Sequence, residues 1–95
     1  MKHSLNLTTH AQERAQQRGI DEKAIAAILY YGQRYYAGDG SKAYFMSRKA
    51  IEKARTQWDM DLDDYRNTAV IMSSHHEIIT VQYCDRPKKS WRGRH

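Results

Sequence analysis

The stretch Thr9–Gly32, THAQERAQQRGIDEKAIAAILYYG, decides the fold, because it reads as two short helices broken by one turn. Thr9 is placed as the N-cap of the first, over residues 9–18, with Gln12 three positions on to complete a capping box. Gly19 supplies the stop. Asp21 then caps a second helix, Glu22 to Tyr31, with Ile20 and Ile25 at the two ends of a hydrophobic staple. Ala24, Ile25, Ile28 and Leu29 form its apolar stripe, and Gly32 ends it. The first helix carries a different pattern. His10, Arg14 and Arg18 stand four residues apart and share one face, so an imidazole and two guanidiniums project as a cationic row.

Beyond Gly32 the periodicity changes. Gln33–Ala37 and Lys42–Met46 read as strands joined by the turn cluster Gly38-Asp39-Gly40-Ser41. Ser47 caps a third helix that the rhythm of Ile51, Ala54, Trp58, Leu62 and Tyr65 extends to about Tyr65. Thr68–Ser73 and Glu77–Cys84 are two further β-branched runs linked by Ser74-His75-His76. The order ααββαββ predicts an α+β fold: two N-terminal helices packed on a small four-stranded antiparallel sheet, with an extra helix between strands two and three. Residues 1–84 form the single domain and 85–95 an exposed basic tail holding the sole proline, Trp91 and the cations Arg86, Lys88, Lys89, Arg92 and Arg94.

Composition narrows the partners. The chain has 95 residues and a net charge of +5, which favours an anionic partner such as nucleic acid or an acidic protein. One cysteine, Cys84, makes no internal disulfide and, with scattered histidines, no zinc site. No long apolar run is present, and Leu5 and Leu7 stand isolated among polar residues, so neither a membrane span nor a signal peptide is expected. A soluble, cytoplasmic protein without a cofactor is the expectation.

Metal-independent phosphodiester cleavage needs a group titrating near neutrality to take the 2′-hydroxyl proton and fixed positive charge for the phosphorane. His10 with Arg14 and Arg18 matches that need; the bland alternative is a solvated helix face. Thr80 sits mid-strand, where alternation groups it with Ile78 and Gln82, and its hydroxyl wants an Arg or a phosphate oxygen as partner. Tyr83, on the Ile79 and Val81 face, is either a stacking contact for a base or part of the core. Tyr30, Tyr31, Tyr35, Tyr36 and Tyr44, interleaved with Arg34 and Lys42, look like a stacking platform but are expected to be mostly half-buried. Arg18, Lys42 and Tyr83 are the candidate RNA contacts. His75 and His76 have no further ligand at metal spacing. Asp59, Asp61, Asp63 and Asp64 are either solubilising acids or a patch for a basic partner or the basic tail.

The string His10-Ala-Gln-Glu-Arg14, then Gln17-Arg-Gly-Ile-Asp21, Gly32, and Glu77-Ile-Ile-Thr-Val81 resembles the domain of unknown function 4258 family. That family is placed, by fold comparison, near the barnase–EndoU–colicin–RelE group of metal-independent RNases, which includes many toxins of toxin–antitoxin systems. The resemblance covers most of residues 8–32 and 68–83. It implies His10, Arg14 and Thr80 as the catalytic site, Arg18 as support, RNA as substrate and an antitoxin or other protein as partner. The middle, Ser47–Asn67, departs from the pattern as a helical insertion. Two rivals stand beside this: a helix-turn-helix using residues 22–31 for recognition, disfavoured by a second helix poor in polar groups, and a non-catalytic protein-interaction module such as a phage-encoded inhibitor.

Overall fold

The computed structural model describes residues 5–93. Helices α1 (Thr9–Gln17) and α2 (Glu22–Tyr31) lead into the hairpin of β1 (Gln33–Gly38) and β2 (Ser41–Phe45). Helix α3 (Arg48–Trp58) and a 3-10 turn (Asp63–Tyr65) follow, then β3 (Thr68–Met72), β4 (Ile78–Tyr83) and a short β5 (Arg92–Gly93). The strands form one antiparallel sheet in the order β4-β3-β2-β1-β5. The α+β class and the helix and strand order match the sequence expectation. The sheet has five strands rather than four, because the C-terminal segment does not hang free.

Capping fixes the helices. Thr8, not Thr9, is the N-cap of α1: its extended backbone ends the entering segment and its Oγ1 accepts from the Ala11 amide at 3.1 Å. Either threonine has the chemistry for the role. The bridge between Leu7 and Ile78 holds the chain extended up to Thr8, and that decides it. Gln12 correspondingly reaches back to the Leu7 carbonyl rather than closing a capping box. At the other end Gly19 adopts φ +65°, Gly19 N–H donates to Gln16 and Ile20 N–H to Ala15, a Schellman stop. Asp21 caps α2 through the Ala24 amide, and Ser47 caps α3 through Ala50.

Helix α3 is shorter than its apolar rhythm predicts. Asp59 turns left-handed at φ 54° and ends the helix at Trp58, so Leu62 reaches the core from a loop and Trp58 stays 54% exposed. Tyr30, Trp58 and Met60 consequently form an exposed cluster around half-buried Tyr31, with edge-on ring contacts and the Tyr31 hydroxyl on the Met60 sulfur.

One face of the sheet meets the helices, with Val70, Ile78 and Val81 packed among Ala11, Ala15, Ile25 and Ile28. The strict alternation expected for β4 fails at one residue. Ile71 pairs with Thr80 but Met72 with Ile78, which leaves Ile79 as a bulge. Ile78 and Val81 therefore share the helix side, and Thr80 is turned to the other. On that second face Ala43, Phe45 and Ala69 are buried outside the helix-side core, and Trp91 packs against Tyr35. Residues 84–91 thus cross from one sheet edge to the other, where Arg92 and Gly93 pair with Tyr36 and Tyr35. The basic tail is a structural strap; Arg94 lies outside the described residues.

Candidate functional site

Strand β4 is an edge strand, and α1 packs alongside it. The two alanines Ala11 and Ala15 are buried at 0% and 5%, so the opposite side of α1 is left to its polar residues. Small side chains bring this helix close to the strand. Thr8 locks the pair together. While capping α1, its hydroxyl donates to the carbonyl of the bulge residue Ile79 at 3.1 Å, across 71 positions of chain. The Thr8 amide also donates to Ile78, and Ile78 to Asn6.

A groove of about 470 Å³ runs along this junction. His10, Arg14 and Arg18 line it from α1, and Ile79, Thr80, Gln82 and Tyr83 line it from β4. The chain just past the strand adds Cys84 and Lys88. Five of the six residues singled out from sequence thus border one space: His10, Arg14, Arg18, Thr80 and Tyr83. Lys42 does not. It sits on β2 opposite Met72, two strands in from β4, and does not line this groove. Tyr83 is 54% exposed, which corrects the core alternative.

The electrostatics are one-sided. Among the described residues the single salt bridge is Arg55–Glu52 on α3. Arg14, Arg18 and Lys88 therefore present guanidinium and ammonium groups without an ion-pair partner, beside the His10 imidazole and along the strand edge at Thr80. Unpaired cations converging on a concave surface make a site for an anion, and two guanidiniums suit the planar, bidentate recognition of phosphate. Burial pushes the Cys84 thiol up; Lys88 pulls it down and Asp85 adds to the rise. Cys84 is thus a wall of the groove rather than an activated nucleophile. Among the described residues no group of three or more His, Cys, Asp or Glu could hold a metal ion.

Lys88 was hidden in the sequence among five tail cations. What separates it is distance along the chain: four residues past Cys84, it has not yet left the β4 edge when the strap begins its crossing. Gln82 was legible as a neighbour of Thr80 on the same strand face, two residues along, but an amide signals little by itself.

The protein is a small α+β domain with a cationic groove on one sheet edge. It belongs to the DUF4258 family, whose model (Domain of unknown function) matches residues 7–90. The matched range includes residues 47–67, the segment read from sequence as an insertion. No curated protein and no solved structure matches the chain. No helix among the described residues is long and apolar enough to cross a membrane.

Proposed function

We propose that the α1–β4 groove binds the RNA backbone and cleaves it without a metal, as a small cytoplasmic endoribonuclease of the toxin type related to the barnase–EndoU–colicin–RelE group. The observation that carries this reading is the convergence of His10, Arg14, Arg18, Thr80 and Lys88 on one groove, with none of its cations in an ion pair among the described residues. His10 takes the proton of the 2′-hydroxyl, and that oxygen attacks the adjacent phosphorus. Arg14, with Arg18 beside it, stabilises the charge of the pentacovalent phosphorane, and the Thr80 hydroxyl donates to a phosphoryl oxygen. The 5′-oxygen leaves and takes a proton from water, which the open groove admits. The products are a 2′,3′-cyclic phosphate and a 5′-hydroxyl end. Lys88 closes the electrostatic ring from the strap.

The test is cleavage of unstructured and ribosome-bound RNA by pure protein in EDTA, beside His10→Ala. Wild type cleaves and the variant does not; intact RNA with both overturns the catalytic reading.

A second reading has its own observation. The exposed cluster of Tyr30, Trp58 and Met60 adjoins Asp59 and Asp61. Rings beside carboxylates fit a basic protein segment, through cation–π contacts and charge. A cognate inhibitor of the enzyme would dock there through a Lys- or Arg-bearing strand or helix. Trp58→Ala then weakens inhibitor binding while leaving cleavage intact.

A further inference from the structure

Next to the groove lies a second cavity of about 380 Å³, inside the ~300–1,000 Å³ range of small-ligand clefts. Arg18 and Tyr83 border both spaces, so the two adjoin at those side chains. The remaining polar wall of the second cavity comes from Asp64, Tyr65, Arg66 and Thr68. This places a carboxylate and a guanidinium on one short segment, the 3-10 turn Asp63–Tyr65 and the residue that follows it. Neither charge is used elsewhere: among the described residues, no salt bridge involves Asp64 or Arg66. Thr68, the one buried polar residue among those described, lies directly across the strands from Tyr83, so the two side chains share one sheet face. Tyr83 keeps more than half its surface open, and its hydroxyl is held only by a long contact from Asn67 at 3.5 Å.

We propose that this cavity is a guanine subsite, which sets the base preference of the neighbouring groove; it rests on the reading of that groove as an RNA-backbone site. The two charges match the edges of one base. A guanidinium donates twice and needs two adjacent acceptors, which guanine presents at N7 and O6. A carboxylate accepts twice and needs two adjacent donors, which guanine presents at N1–H and the N2 amino group. Adenine has neither two adjacent acceptors nor two adjacent donors, cytosine has the acceptor pair N3 and O2 but a single donor group at N4, and uracil has only the N3–H donor, so each leaves Asp64 or Arg66 unsatisfied. The open face of Tyr83, at the border of the two spaces, stacks on the base while the phosphate of the same nucleotide lies toward Arg14 and Arg18. A nucleoside 3′-phosphate spans the two spaces in the arrangement that cleavage requires, since its own 2′-hydroxyl would be the attacking group.

The experiment is binding, not turnover. Isothermal titration of the protein with the 3′-monophosphates of guanosine, adenosine, cytidine and uridine, and with inorganic phosphate, separates the two spaces. The guanosine nucleotide binds about 10-fold or more tightly than the other three, and Asp64→Asn removes that margin while leaving phosphate affinity unchanged. Arg66→Ala does the same, and both positions are exposed, so the variants remain folded. Equal binding of all four nucleotides, with phosphate still bound, overturns the guanine subsite and leaves the groove standing. A margin for guanosine that survives Asp64→Asn also overturns it. Failure of every probe, phosphate included, overturns both.

Discussion

The Thr8 hydroxyl and the Ile79 carbonyl are joined by a 3.1 Å hydrogen bond that links the start of α1 to the bulge of β4. The same oxygen accepts from Ala11 and caps the helix. One side chain therefore sets both where α1 begins and how it lies against Thr80. Thr8→Val keeps the volume and loses both bonds. It costs about 2 kcal/mol of stability, read from urea unfolding, as a cap loss of ~1 plus a hydrogen bond of ~1. Thr8→Ser keeps most of it. Equal stability of the valine variant would show that the clasp is idle.

Arg14 is exposed, so its replacement leaves the fold alone and reports on the groove. Arg14→Ala lowers cleavage about 10²–10³-fold, the usual cost of one preorganised charge donor. Arg14→Lys keeps the charge but loses the fork, and recovers only part of the rate. Initial rates on a short RNA at low salt measure both. Full activity in the lysine variant would reduce Arg14 to bulk charge.

Much of this is legible in the amino-acid sequence. Asp21, Ser47 and Gly19 announced their helix ends because capping and left-handed backbone are local chemistry. The grouping of His10, Arg14 and Arg18 followed from helical period alone. Three features were not legible. The Ile79 bulge depends on pairing with β3, and it moves Thr80 to the other face without changing a residue. The end of α3 at Trp58 depends on Asp59 turning left-handed, against an apolar rhythm that continues to Tyr65. The strap depends on Trp91 finding Tyr35, a contact between residues far apart in the chain. Lys42 lies outside the groove for the same reason: its place two strands in from β4 is set by strand order.

Gly32 closes α2 at an ordinary backbone angle, and its requirement is space rather than conformation. A Cβ there would lie 2.5 Å from the Ile28 carbonyl oxygen and 3.3 Å from that of Phe45. Gly32→Ala accordingly destabilises by about 1–3 kcal/mol. Thermal unfolding checks it, and an unchanged midpoint would mean that α2 and β2 separate freely.

Burial pushes the Cys84 thiol up, so the folded protein holds that proton more tightly than the unfolded chain does. The sign follows from linkage. Stability is unaffected below the ordinary thiol range and falls as pH rises through it toward the folded value. Cys84→Ser removes this fall. Urea midpoints from about pH 7.5 to 10 therefore decline more steeply in wild type than in the serine variant, across the range where thiols titrate. Parallel slopes would contradict the assignment.

In the proposed reaction His10 and its neighbours direct a 2′-hydroxyl against its own phosphate. Mass analysis of the ends left on an RNA oligonucleotide, treated in EDTA beside its 2′-O-methyl counterpart, tests this most directly. The expected products are 2′,3′-cyclic phosphate and 5′-hydroxyl ends from the RNA, none from the methylated strand, and none from either with His10→Ala. Cleavage of the methylated strand, or 5′-phosphate ends, would contradict it.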